Sequence, residues 1–254
     1  TGSPAWQGLG VHPNPAAPAV TVPTPAPATP VPCVASHCTA AGQELIAGGA
    51  PTCSGDAADC AAKCCHSNCD AALFFSEYYE GSGYNKYFEV FNAGTCSVNL
   101  DDFALPNVYN DPRTVGQHEY WNKVFWPGQT LAPGAVYVVA HPQADQNILN
   151  LANQTFQYFS SGNDGMCLAK GTEAAHVLVD CIGDFNGAPG FPDYGWDVCG
   201  TPAGTRNHLL VRNSTVTSGN PDWTAVSQSS ATDCEWVVLS KDPDPVTGSP
   251  ARQG

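Results

Sequence analysis

Between Ala72 and Leu239 short apolar runs alternate with clusters of Gly, Pro and Asn. The runs richest in Val, Phe, Tyr and Leu are Ala72–Tyr79, Tyr87–Asn92, Ala135–Ala140, Val177–Ile182, His208–Arg212 and Glu235–Leu239. Each has the length of a strand, and each is closed by turn-forming residues. In Tyr87-Phe88-Glu89-Val90-Phe91 an acidic side chain sits between apolar neighbours, the alternation of a strand buried on one face. A single helical insert is predicted over Gln143–Leu151, after Pro142. Many short strands without a strand–helix–strand rhythm predict an all-β fold, an antiparallel β-sandwich.

The pattern changes upstream of Ala72. From Cys33 to Ala71 the chain carries Cys33, Cys38, Cys53, Cys60, Cys64, Cys65 and Cys69. Ser54–Cys69 has helical character, with Ser54 as N-cap, Asp56 in the first turn and an Ala-rich body. A segment under 40 residues buries too little surface to hold itself together, so it requires staples. Zinc held by Cys60, Cys64, Cys65, His66 and Cys69 competes with disulfides here. The adjacent pair Cys64-Cys65 fits poorly with the separated ligand pairs of structural zinc sites, and disulfides are the expected staple. Seven is odd, so one of these sulfurs is expected to reach Cys96, Cys167, Cys181, Cys199 or Cys234 in the sandwich.

Residues 13–32 read PNPAAPAVTVPTPAPATPVP. Proline at nearly every second or third position excludes helix and central strand and favours polyproline II, at about 3.1 Å per residue. Composition alone also suits a linker. Within the arm, Ala19-Val20-Thr21-Val22 alternates as an added edge strand does, and Trp6 is a candidate anchor for a pocket on a neighbour. The Ala-Pro and Thr-Pro pairs resemble those of the hydroxyproline-rich glycoproteins of plant and algal walls. That resemblance implies O-glycans on the arm. Residues 1–8, TGSPAWQG, return as TGSPARQG at 247–254. We expect either a tandem unit or two ends that meet equivalent surfaces on copies of the same chain. The organisation expected is therefore an extended arm (1–32), a cysteine-rich module (33–71), a sandwich (72–240) and a linker (241–254).

Composition narrows the compartment and the partners. Twelve cysteines beside 9 Lys+Arg and a single Met suit an oxidising, extracellular setting. The sequons Asn153-Gln154-Thr155 and Asn213-Ser214-Thr215 agree with secretion and predict N-glycans on Asn153 and Asn213. Thr1 is no initiator, so a processed or excised form is expected. No run approaches the roughly 20 apolar residues of a membrane span. A net charge of −14 opposes contact with a phosphate backbone, so nucleic acid is not an expected partner.

Several blocks carry a family resemblance. Phe75-Ser76-Glu77-Tyr78-Tyr79-Glu80-Gly81-Ser82, then Asn85-Lys86 and Phe88–Asn92, resemble the opening of a lamin-tail domain in its secreted bacterial and algal form. Asp101–Leu105 is similar to its L-x-G-x-x-L turn, with Asp102 in place of the glycine. Leu131-Ala132-Pro133-Gly134 with Val136–Ala140, Asn163-Asp164-Gly165, Val179–Gly183, Trp196-Asp197, Asn207–Arg212 and Glu235–Leu239 follow in order. Together they span residues 72–240. The resemblance implies an immunoglobulin-like β-sandwich with a binding or structural role, often a companion of secreted nucleases and phosphatases but not itself the catalyst. It also implies that Glu77 and Glu89 are structural carboxylates accepting backbone or Asn bonds. The five sandwich cysteines are additions to the family pattern.

A reaction centre is not evident. GxSxG, P-loop, HExxH and dinucleotide motifs are absent, and His118-Glu119 is an adjacent pair in a turn-rich loop. No cofactor is expected beyond covalent glycans. Asp101, Asp102, Asp164 and Asp184 are oxygen donors for calcium, but no run of them matches a calcium loop. Tyr78, Tyr79, Tyr84, Trp121, Trp126, Tyr194 and Trp196 suffice for a sugar platform or a protein interface, with most expected in packing. The function expected is a non-enzymatic subunit of an extracellular fibril, appendage or matrix, joined head-to-tail to copies of itself through the arm. The alternative is a secreted binding module for polysaccharide or another ligand, accompanying a hydrolase.

Overall fold

The computed structural model describes residues 30–34, 43–45, 52–57, 59–60, 65–67, 72–109, 114–185, 194–227 and 233–240, with 43–45 and 65–67 as backbone only. Two compact units divide between His66 and Ser67, with 40–43 grouped with the second.

In the first unit, β1 (Val31–Pro32) runs antiparallel to β3 (Thr52–Cys53), and β2 (Gln43–Leu45) pairs with β4 (Cys65–Ser67). The last two residues of the expected arm are thus a strand, in a two-stranded pair where a missing proline N–H does no harm. Cys53 and Cys60 form a disulfide and are both buried, with Val31 and Cys33 packed against them. Of the helix expected over Ser54–Cys69, the described residues show helix at 57 and 59–60 and extended backbone at 65–67, with 58, 61–64 and 68–69 outside the described residues. The helical turn starts at Asp56, whose carboxylate accepts from Asp59 N–H at 3.1 Å and whose carbonyl accepts from Cys60 N–H at 2.8 Å. The bridge to β3 holds that turn, and by Cys65 the chain is extended and paired.

Among the described residues, the second unit contains twelve strands. They are β5 (Leu73–Glu80), β6 (Lys86–Asn92), β7 (Val98–Asn99), β8 (Phe103–Val108), β9 (Tyr120–Asn122) and β10 (Thr130–Leu131). After them come β11 (Val136–Ala140), β12 (Gln154–Thr155), β13 (Gly165–Thr172), β14 (Ala175–Ile182), β15 (His208–Arg212) and β16 (Trp236–Leu239). One sheet has the order β12-β11-β6-β5-β15-β16 and the other β14-β13-β8-β9, with β10 and β7 as a separate pair. Among the described strand pairs of this unit, β11 and β12 run parallel and the others antiparallel. The expected β-sandwich is present. The helix expected over Gln143–Leu151 is confined to Gln146–Leu149, and Trp223–Val226 adds a helical turn capped by Asp222.

Side chains from both sheets meet in the core: Leu73, Phe75, Phe88 and Val90 from one, Phe103, Leu105, Leu168 and Ile182 from the other. Phe75 and Phe88 pack edge to face at 5.7 Å. A second cluster on the outer face of the larger sheet joins Tyr79, Tyr87, Val138 and Leu209 to Ile148 of the short helix. β5 is therefore covered on both faces. Its register against β6 shifts between Phe75 and Glu77. The shift changes the phase of alternation, so Phe75 and Tyr78 both join the inter-sheet core.

Two carboxylates sit inside this packing. Glu77 accepts from the Tyr87 hydroxyl at 2.8 Å and Glu89 from the Ser76 hydroxyl at 2.7 Å. Both carboxylates are fully buried, and each accepts from a hydroxyl. Burial, with the nearby Glu77 carboxylate, pushes the Tyr87 phenol far above its usual range.

Candidate functional site

Exposed tyrosines concentrate on one cleft of about 530 Å³, where the β8 and β9 ends approach the segment after β12. Tyr109 (63 % exposed), Tyr120 (54 %) and Tyr158 (67 %) line it, together with Asn107, Asn122, Gln157, Phe159 and Asp164. Pairing of β8 with β9 sets Asn107 opposite Tyr120, which brings one wall together. Tyr109 is held at the strand exit by its N–H, which donates to the Glu119 carboxylate at 3.0 Å. Asn122 Nδ2 donates to Asn107 Oδ1 at 2.8 Å and to the Leu105 carbonyl at 3.2 Å. This orients the Asn107 amide and leaves its Nδ2 available to a ligand.

The opposite wall rests on an aromatic ladder. Tyr158 packs on Phe156, Phe156 on Phe159, and Phe159 on Phe88 in the core, with centroids 5.6, 6.0 and 5.9 Å apart. Lys86, ion-paired to Glu80 at 3.1 Å, donates to the Ser160 carbonyl at 2.7 Å. Ser160 Oγ accepts from Gly162 N–H (2.8 Å) and Asp164 N–H (3.2 Å), which closes the loop that presents Asp164. Gly162, at φ +93°, has no room for a side chain: a Cβ there would lie 2.6 Å from Arg206 Cβ.

His141 supports the same wall from behind. It stacks on Tyr84 at 4.5 Å and lies 6.3 Å from Phe159. Its Nδ1 accepts from Gln143 N–H at 3.0 Å, which makes it an acceptor and hence unprotonated. Burial, then the Lys86 charge, lowers its pKa from the ordinary 6.5, against a hydrogen bond with the Gln157 backbone.

Such a cleft offers flat aromatic faces, phenol hydroxyls and amide donors, with one carboxylate. These groups can stack on a ligand and hydrogen-bond to it. Nothing in the lining pairs a nucleophile with a base. Beside it, His118 and Glu119 are placed apart: the His118 ring packs 5.3 Å from Trp121 and 5.6 Å from His176, while Glu119 holds the Tyr109 backbone.

The other predicted residues fall as follows. Trp6, Val20, Thr21, Val22, Cys38, Cys64 and Cys69, and the side chain of Cys65, lie outside the described residues. Cys53–Cys60, Cys167–Cys181 and Cys199–Cys234 are disulfides, and Cys33 and Cys96 are also disulfide-bonded. Cys60 is thus removed from the competing zinc set. The three bridges indicate an oxidising environment. Among the described residues no His/Cys/Asp/Glu group is placed to hold a metal ion, and no helix is long and apolar enough to cross a membrane. Asn153 is exposed, and its Oδ1 accepts from Val138 N–H at 2.8 Å. Asn213 is half-buried, and its Nδ2 donates to the Cys234 carbonyl at 2.8 Å.

Of the aromatics singled out from the sequence, Tyr84, Trp126 and Tyr194 are exposed, whereas Tyr78 and Tyr79 are buried. The cleft tyrosines were not among them. Two flank the stretch between β8 and β9 and the third follows β12, so only strand pairing brings them together.

No protein-family model matches the chain, and no curated protein matches it. Among solved structures, the crystal structure of a DUF4876 family protein from Bacteroides thetaiotaomicron is similar at 14 % identity and a TM-score of 0.37, covering 72 % of this chain and 74 % of that one. No functional reading is carried over at that distance.

Proposed function

We propose that this chain is a secreted, non-enzymatic structural subunit of an extracellular fibril, appendage or matrix, joined head-to-tail to copies of itself through the N-terminal arm. The observation that carries this reading is the convergence of Tyr109, Tyr120 and Tyr158 on one cleft, a surface suited to holding a partner. The uncharged, proline-rich arm and the octapeptide shared by residues 1–8 and 247–254 support it. Disulfides suit a subunit that persists outside the cell. In this reading the sandwich is immunoglobulin-like and of the lamin-tail type, with glycans on Asn153, Asn213 and the arm. The ordered blocks from Phe75 to Leu239 support that finer assignment.

A second reading draws on the same cleft. Tyrosine faces beside Asp164 also suit a sugar ring, as in a polysaccharide-binding module that accompanies a hydrolase. Negative-stain microscopy and sedimentation of the full-length chain separate the two. The first reading expects filaments that lengthen with concentration. Dispersed particles that cosediment with an insoluble polysaccharide would replace it by the second.

A further inference from the structure

The proposed assembly leaves open what fills the tyrosine cleft, and the cleft's own chemistry narrows the choice. The hydroxyls of Tyr109, Tyr120 and Tyr158, the Asn107 Nδ2 and the Gln157 amide are donors left available by the bonds described above. A proline-rich chain in polyproline II is the complementary partner. Its backbone carbonyls face outward with no internal hydrogen bonds, and each proline removes an N–H that would compete for acceptors. Its rings present flat apolar faces to aromatic side chains, and the helix loses little entropy on docking.

Charge points the same way. Copies carrying −14 each repel one another, so a contact between them needs a segment without charge. Residues 13–29, PNPAAPAVTVPTPAPAT, contain no Asp, Glu, Lys or Arg. Within them, Pro23–Thr29 carries proline at 23, 25 and 27, spanning about 22 Å at the polyproline rise. Nucleic-acid bases also stack on tyrosine, but the lining has no Lys or Arg to neutralise phosphate.

We infer that the cleft lined by Tyr109, Tyr120 and Tyr158 is the docking site for the proline-rich arm of a second copy, with residues 23–29 bound as polyproline II. This rests on the assembly reading above and gives it a joint. The aromatic ladder behind Tyr158 and the Asn107–Asn122 bond make the site rigid before the arm arrives.

The test uses full-length chains. One variant carries Pro23→Ser, Pro25→Ser and Pro27→Ser, which disables its own arm and serves as receptor. A synthetic peptide of residues 13–29 is titrated into it by calorimetry, with the same peptide bearing serine for every proline as control. Saturable binding of the first peptide alone is expected. Adding Tyr109→Ala or Tyr158→Ala to the receptor should weaken it about tenfold or more, while Val237→Ala, on the edge strand β16 at the opposite end of the larger sheet from β12, should not. Excess peptide should also shorten wild-type filaments. Both cleft tyrosines are more than half exposed, so their truncation spares the core, which circular dichroism checks.

Filaments of the wild-type chain with no peptide binding to the receptor, or binding indifferent to the tyrosines, would overturn this site while leaving assembly in place. Tyrosine-dependent binding of cellohexaose or chitohexaose without peptide binding would also overturn it and assign the cleft to saccharide. A wild-type chain that stays single at every concentration would instead end the assembly reading, and the peptide titration would still report whether the cleft recognises the arm.

Discussion

Asp180 on β14 and Arg212 on β15 meet at 3.1 Å across the interior of the sandwich, both fully buried, one from each sheet. The Asp180 carboxylate also accepts from Phe75 N–H at 2.9 Å and Asn220 N–H at 3.0 Å. Phe75 lies where the β5 register shifts, so its N–H takes a side-chain acceptor from the opposite sheet. Arg212 binds Glu235 at 2.6 Å as well and stacks over Trp236 at 4.5 Å. Burial pushes the Asp180 carboxyl upward, and Arg212 with the two backbone donors pulls it back. The pair pins one sheet to the other.

Arg212→Met strands a buried carboxylate and should destabilise the fold by about 3–5 kcal/mol, read as a lower urea midpoint. The double variant Asp180→Leu/Arg212→Met removes both charges, yet the Phe75 and Asn220 N–H groups lose their acceptor. It should therefore remain about 1–3 kcal/mol or more below wild type. Full recovery in the double variant would show that the pair, and not the carboxylate's backbone contacts, is what matters.

The sandwich disulfides should differ in weight. Cys199–Cys234 closes a loop with a sequence separation of 35, and Cys167–Cys181 one of 14. Chain entropy assigns them about 4 and 3 kcal/mol. Cys167 and Cys181 also face each other directly in the β13–β14 ladder, which holds them without the bridge. Paired alanine substitutions should thus cost more at Cys199/Cys234. Equal urea midpoints for the two variants, or the reverse order, would count against this ranking.

The strands were legible where alternation is regular. His208–Arg212 is observed as expected, and Tyr87–Asn92, Ala135–Ala140 and Glu235–Leu239 each differ by a single residue at the start. β8 and β13 were hidden because Pro106, Gly165 and Gly171 read as turns, although both strands hold interior positions in their sheet. In β5 the register shift destroys the period-two signal, since inward Phe75 and Tyr78 are three residues apart. The cleft left no trace in the sequence. Tyr109, Tyr120 and Tyr158 belong to no common period, and tyrosines are expected equally in cores, where Tyr78, Tyr79 and Tyr87 are found. Cysteine density, by contrast, signalled the staples directly, because oxidation state depends on compartment rather than on contacts.

The two sequons should not be used alike. At Asn153 the side-chain oxygen is tied to Val138 while the residue is exposed, so a glycan on Nδ2 projects into solvent. At Asn213, Nδ2 is engaged with the carbonyl of Cys234, half-buried beside the Cys199–Cys234 bridge. A glycan there competes with closure of the bridge. Mass mapping after enzymatic deglycosylation in heavy-oxygen water should show higher occupancy at Asn153. Equal or greater occupancy at Asn213 would mean that modification is complete before this hydrogen bond forms.

Acid should loosen the cleft through His141. Its pKa in the folded chain lies below the unfolded value of about 6.5, because burial and Lys86 disfavour the imidazolium. Between those two values the unfolded chain binds more protons than the folded one, so stability rises with pH through that window. The contribution is fully present above about pH 6.5 and is lost as pH falls through the folded pKa. Protonation also turns Nδ1 from the acceptor of Gln143 N–H into a donor, which frees the ring that backs Phe159. The wild-type melting temperature should therefore drop more between pH 7.5 and 5 than that of His141→Gln, whose side chain does not titrate. Carboxylates common to both chains cancel in the comparison. Parallel pH profiles would show that His141 is already solvated when folded, and the back of the Tyr158 wall would then rest on Lys86 and Ser160 alone.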